Sequence, residues 1–196
     1  MGNVITISRQ YGSGGRELGE KLAEKMGIPF YDKELINMIA RKENIEVSLL
    51  ETCDEAAPDL NSYTARDVAP DYQIEMARKV FEAYSRVIRE LAAKEPCVIV
   101  GRCADVIIPD SVKVFVYADQ DARIRRIREI CSKEELSENR AVKDIARMDR
   151  SRQAYHKFFC GKEWGRMEDY DICLNTTRTG VDGAVEAVLA YVRQMK

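Results

Sequence analysis

Hydrophobic and polar positions switch between two periods along this chain, and the switches mark its elements. Val4-Ile5-Thr6-Ile7-Ser8 is an apolar, β-branched run. It breaks into Arg9-Gln10-Tyr11-Gly12-Ser13-Gly14-Gly15-Arg16-Glu17, beyond which Leu18, Leu22 and Met26 fall at helical spacing. The pattern predicts a strand, a tight glycine turn and a helix. Met26-Gly27 supplies a helix stop and Ile28-Pro29-Phe30-Tyr31-Asp32 a short second strand, so a βαβ unit and a parallel sheet are expected. A helix follows over Lys33 to Lys42. From Glu43 to Asp71 the pattern weakens into an acidic stretch punctuated by Pro58 and Pro70, expected as a mobile, partly helical insertion. A long amphipathic helix then runs from about Tyr72 to Lys94, with Met76, Val80, Phe81, Tyr84, Val87, Ile88 and Leu91 on one core-facing stripe. Cys97-Val98-Ile99-Val100-Gly101 has the unbroken apolar character of a strand buried on both faces. Val112 to Ala118 is a fourth strand, leading into a basic helix capped by Asp119 and Asp121. Tyr170 to Asn175 is a fifth, and Val181 to Met195 an amphipathic closing helix.

Composition narrows the class. The chain has 196 residues and 45% hydrophobic content, enough for one cored domain, and its 31 Lys plus Arg against 33 Asp plus Glu leave a net charge of −2. No basic excess points to nucleic acid or a membrane surface, so anion binding has to be local. Six cysteines are scattered without a C-x-x-C pair and only one histidine, His156, accompanies them, so no zinc site is expected. The chain shows no basic-then-apolar leader and no apolar run near 18 residues, so a cytoplasmic protein with reduced thiols is expected. Met1-Gly2-Asn3-Val4-Ile5-Thr6 meets the loose myristoylation pattern, but Val4 to Ile7 reads as a core strand and the match is taken as chance.

The candidate chemistry gathers at strand ends. Gly12, Ser13, Gly14 and Gly15 allow the backbone to curl with its N–H groups inward at a helix start, and Arg9 and Arg16 add fixed charge. The same residues also suit a plain glycine turn joining strand to helix. Against G-x-x-x-x-G-K-[ST] the loop lacks both the Lys and the Ser/Thr. Asp32 lies at a strand's carboxyl end, where ligands of parallel sheets sit, or caps the next helix. Arg102 follows Gly101 at the end of a central strand and suits either a phosphate or a surface turn. Arg123 and Arg126 lie one turn apart, facing back toward the sheet. Arg147, Arg150 and Arg152 suit a lid that closes over a polyphosphate. His156, among aromatics, reads as a packing or hydrogen-bonded residue rather than a catalytic base, and Trp164 as a loop anchor.

Taken in order, Ile7 to Glu17, Pro29 to Ile36, Val98 to Ala104, Asp149-x-x-Arg152-x-x-Tyr155 and Tyr170-Asp171-x-x-x-Asn175-Thr176 resemble the cytidylate kinase-like branch of the P-loop nucleoside monophosphate kinases. The resemblance implies an α/β, three-layer P-loop NTPase fold with a five-stranded parallel sheet. It implies a core of residues 1–31, 95–122 and 168–196, a helical acceptor-binding insertion at about 32–94 and a lid at about 123–167. It implies ATP and Mg²⁺ as cofactors and a small-molecule acceptor, most simply a nucleoside monophosphate such as CMP or dCMP. Arg9, Gly12, Ser13, Gly14, Gly15, Arg16, Glu17 and Arg123 would serve the ATP phosphates, and Asp32, Arg41 and Arg102 the acceptor. Arg16, Arg147, Arg150 and Arg152 would act on the transferring group. The departures from cytidylate kinases are specific. Set against G-P-S-G-S-G-K-G-T, Arg9 takes the first glycine's place, Gly15 the lysine's and Glu17 that of the magnesium-binding hydroxyl. Set against V-D-G-R-D, Val100 and Cys103 replace both aspartates. The metal ligands stay unassigned, with Glu17, Asp32 and Asp105 as options. A nucleotide-binding sensor and a kinase of a sugar or shikimate-like hydroxyl compound stand as rivals.

Overall fold

In the computed structural model, which describes residues 4–58, 70–130 and 137–195, the apolar runs become one all-parallel sheet in the order β2-β3-β1-β4-β5. Its strands are β1 (Ile5–Arg9), β2 (Phe30–Tyr31), β3 (Val98–Val100), β4 (Val112–Tyr117) and β5 (Ile172–Asn175). β1 lies at the centre, with Ile5 and Ile7 opposite Val98 and Val100 on one side and opposite Val112 and Val114 on the other. Parallel strands need crossovers, and the helices that provide them cover both faces.

Strand alternation decides which helix covers which face. Ile5, Ile7, Val98, Val100, Val114 and Val116 point toward α1 (Gly15–Met26) and the closing helix, whose Leu18, Leu22, Val185 and Val188 complete that layer. Cys97 and Ile99 point the other way, into Leu35 and Ile39 of α2 (Glu34–Glu43), Leu50 of α3 (Val47–Cys53) and Tyr84, Val87 and Ile88 of α4 (Pro70–Lys94). A smaller apolar cluster, Ile124, Ile127, Ala141 and Ile145, joins α6 (Gln120–Ile130) to α7 (Glu138–Cys160) over the glycine turn. Between β3 and β4 lies the single-turn α5 (Ala104–Ile107).

Local chemistry adjusts several boundaries. The closing helix α8 spans Thr176–Gln194, starting five residues before the expected Val181, because Asn175 caps it by accepting from Thr177 N at 2.9 Å and the chain kinks at Gly180. Asp119 stands immediately before α6, its carbonyl taking the Arg123 amide and its Oδ1 accepting from Asn175 Nδ2 at 3.2 Å. The expected insertion is helical through α3, and its 59–69 segment lies outside the described residues, as do residues 131–136 of the expected lid.

Candidate active site

At the carboxyl edge of the sheet the end of β1 becomes the glycine turn. Gly12 and Gly14 sit at φ +78° and +83°, and Gly14 passes directly into the right-handed start of α1. A left-handed residue followed by right-handed ones turns successive amides into a common concavity, and the first amides of α1 have no partner within the helix. Side chains outside the turn hold its carbonyls: Arg123 Nε donates to Tyr11 O at 2.7 Å and Arg126 donates to Gly12 O at 2.9 Å. Asp149 of α7 accepts from Tyr11 N at 2.8 Å and ion-pairs with Arg123. Arg123 and Arg126 therefore brace the turn from behind. Ser13 turns inward on the loop itself, its hydroxyl on Gln10 O at 2.8 Å, and Thr176 donates to Ser13 O at 2.6 Å. Gly15 is required by packing, because a Cβ there would be driven into the side chain of Arg9.

The second half of the site is built by charge. Gly101, Arg102 and Cys103 all have positive φ, +77°, +56° and +55°, a strained turn that aims Arg102 inward instead of into solvent. Arg102 is 2% exposed, donates to Asp32 Oδ1 and Asp54 Oδ2 at 3.0 Å each, and lies over the Tyr84 ring. The alternative of a surface arginine is thereby replaced by a buried ion-pair hub. Asp32 is no helix cap. Its second oxygen takes Arg16 Nε at 3.0 Å, so its carboxylate bridges Arg102 and the start of α1.

The residue that sequence reasoning missed is Glu55. It leaves α3 with φ +50° and drives its carboxylate into the space in front of Gly101. There it pairs with Arg9, accepts from Arg152 Nε at 3.0 Å and accepts from the Arg102 amide at 3.2 Å. Burial alone would raise the Glu55 carboxyl, but the guanidinium groups of Arg9 and Arg152 outweigh it and hold it well below the usual carboxylate range. Arg152, buried beside Arg9, is also held below its ordinary value, first by burial and then by that like charge. Three cationic or N–H donors thus converge on one internal anion.

The remaining candidates divide. Arg16 is half-exposed between Asp32 and Glu20. Glu17 is turned along α1 to Lys21, which also holds Asp182 of α8, so its carboxylate is neutralised at the helix flank. Arg147 is exposed and pairs with Asp144 at 3.6 Å, and Arg150 is exposed with no ion pair among the described residues. Arg41 lies exposed in the last turn of α2, away from the other candidates. Toward an anion the turn offers the Gly12 and Gly14 amides, since those of Gln10, Tyr11 and Ser13 are taken by Val116 O, Asp149 and Gln10 O. For Mg²⁺ the three carboxylates considered do not suit: Glu17 is held by Lys21, Asp32 by Arg102 and Arg16, and Asp105 is buried beside the His156 imidazole, where the neighbouring donors are nitrogen and sulfur instead of oxygen. A magnesium ion would depend on phosphate oxygens and water.

Comparison with known proteins supplies context for this geometry. Residues 4–178 match the cytidylate kinase-like family. A cytidylate kinase from Ignicoccus hospitalis is 28% identical over 189 residues, 94% of this chain and 96% of that protein. Among solved structures, an uncharacterized protein from Eubacterium ventriosum is 29% identical with a TM-score of 0.73, covering 98% of this chain and 99% of its own. A shikimate kinase from Bacteroides thetaiotaomicron, 17% identical, superposes with a TM-score of 0.59 over 97% of this chain and 98% of its own. The five-stranded parallel sheet with helices on both faces is the P-loop kinase fold.

Proposed function

The chain belongs to the cytidylate kinase-like family, and from that premise we propose that it transfers the terminal phosphoryl group of ATP to a nucleoside monophosphate of the CMP or dCMP type. One observation carries the reading: Arg9, Arg152 and the Arg102 amide converge on the buried Glu55 carboxylate, a ready-made receptor for an oxyanion at the carboxyl edge of the sheet. The acceptor's own phosphate takes the position Glu55 holds, and the glycine turn, with Arg16 beside it, takes the donor phosphates. Arg147 and Arg150, exposed on α7, supply charge when that helix approaches the transferring group. Mg²⁺ enters with the nucleotide. Phosphoryl transfer through a loose transition state asks mainly for positioning and cationic clamping, which arginines can supply where the usual lysine is missing.

A second reading is a nucleotide sensor without catalysis. It is favoured by the internal neutralisation of Arg9, Arg102, Arg123 and Arg152 by carboxylates. A coupled assay for ADP, run with a panel of nucleoside monophosphates, separates the two. Stimulation by CMP or dCMP supports the kinase. A melting-temperature shift with ATP but no acceptor-dependent ADP supports the sensor, and turnover only with a sugar or shikimate-like alcohol moves the acceptor outside the nucleotides.

A further inference from the structure

Bordering the charged pocket, the fold brings together three ligating side chains that the kinase reading does not use. Cys103 of the strained turn after β3 meets His156 and Cys160 of α7, with one ligand atom from each within 4.8 Å of the others. Cys103 and His156 are buried, and Cys160 is partly so. His156 and Cys160 are four residues apart and share a helix face, while Cys103 comes from across the molecule.

The imidazole is oriented for a cation. Nδ1 lies 3.3 Å from Lys162 O, which can only accept, so Nδ1 carries a hydrogen. Nε2 then faces Asp105 Oδ2 at 3.2 Å, lone pair to carboxylate, unless a proton or a metal ion lies between them. Asp105 is 5% exposed and its Oδ1 meets no hydrogen-bond donor among the described residues. Two ligands held about 2.0 Å from one tetrahedral ion stand about 3.3 Å apart, which matches the Nε2 to Oδ2 separation. The nearby cations do not compete, because Arg152 is held by Glu55 and Lys162 by Asp169. A cavity of about 10 Å³, room for one small ion or water, is lined by Cys103 and His156 together with Arg9, Glu55 and Arg152.

We propose that Cys103, Cys160 and His156, with Asp105 beside the imidazole, bind one divalent metal ion of borderline softness, zinc by ligand type, and so clamp the turn after β3 to α7. Binding is an exchange of protons for metal: the coordinated thiols and the Nε2 site release their protons to solvent, and no electron is transferred. The clamp steadies Arg152, one turn before His156 on α7, in the pocket that Glu55 fills.

The test uses the full chain, reduced and stripped with a chelator, titrated anaerobically with Co²⁺. The expected result is one Co²⁺ per chain, with the sulfur-to-cobalt charge-transfer band and d–d absorption of a tetrahedral thiolate site. Stoichiometric Zn²⁺ should abolish both and raise the melting temperature. Cys103→Ser and Cys160→Ser should each cut the charge-transfer band by about half or more per bound Co²⁺, and the double variant should remove it, whereas Cys173→Ser should keep it whole. Should the serine variants fold poorly, alkylation of the wild-type chain decides: Zn²⁺ should protect Cys103 and Cys160, read by mass spectrometry, but not Cys173. Absence of a thiolate–cobalt band at stoichiometric metal, its undiminished intensity in both Cys103→Ser and Cys160→Ser, or equal alkylation with and without Zn²⁺ overturns the proposal.

Discussion

The glycine turn at 10–17 and the strained turn at 101–103 sit side by side on one edge of the sheet, yet they are built from different materials. The first is a backbone device. Its shape comes from glycines at positive φ, its carbonyls are tied off by Arg123 and Arg126, the amides of Gln10, Tyr11 and Ser13 are bonded to Val116, Asp149 and Gln10, and those of Gly12 and Gly14 are left for an anion. The second is a side-chain device in which Arg9, Arg102 and Arg152 are held by Asp32, Asp54 and Glu55. A backbone cradle keeps its shape when one side chain is lost. An ion-pair hub does not, because removing one partner leaves the others buried and uncompensated.

That contrast can be broken experimentally, and the largest effect should come from the hub. Arg102→Met strips Asp54 of its Arg102 pair and leaves buried Asp32 with the half-exposed Arg16 alone, and urea unfolding should record a loss of about 3–5 kcal/mol. An effect below about 1 kcal/mol would mean that the carboxylates escape to water and the hub is not rigid.

Glu55→Gln comes next. It removes the internal anion but keeps the shape, so stability should fall by roughly 2–3 kcal/mol. CMP affinity, measured by calorimetry, should rise about tenfold because the phosphate no longer competes with a carboxylate. The pH dependence has a fixed sign. The folded Glu55 carboxyl lies below its ordinary value of 4.5, so its contribution is present above that pH and is lost as acid drives the pH down through the folded value. Acid unfolding curves should therefore show a shallower fall below about pH 4.5 in Glu55→Gln than in the wild type.

Gly15→Ala sharpens the other side. The new Cβ meets the Arg9 side chain, so a loss of about 1–3 kcal/mol and a weaker ATP-induced melting shift are expected. The smallest effect on stability belongs to Arg16→Ala. Its half-exposed pairs with Asp32 and Glu20 are worth less than about 1 kcal/mol to the fold, whereas nucleotide affinity should drop measurably. Unchanged affinity would shift the donor-side charge to Arg9.

Most of the backbone device was legible in the sequence, because its signals are local. Val4 to Ser8, the glycines and the Leu18–Leu22 spacing fall within about 20 residues of one another, and they suffice for strand, turn and helix. The side-chain device was only half legible. Arg102 could be singled out because it follows a glycine at the end of a buried strand, but its partners lie 70 and 48 residues away. Glu55 was invisible because it sits in an acidic, proline-flanked stretch, 46 residues from Arg9 and 97 from Arg152. Nothing local marks such a residue; the only hint was an excess of arginines at strand ends in a chain with net negative charge. Cys103 escaped for the same reason, and the i, i+4 pairing of His156 with Cys160 became visible only once the structure placed both on α7.

The most direct measurement is phosphorus NMR of the purified protein incubated with ATP, Mg²⁺ and CMP. Phosphoryl transfer produces ADP and a nucleoside diphosphate from CMP in equal amounts, with resonances for both growing at the same rate, and Arg152→Ala should suppress them together. Persistence of the ATP and CMP signals without a diphosphate product, under conditions where ATP raises the melting temperature, would contradict transfer to this acceptor.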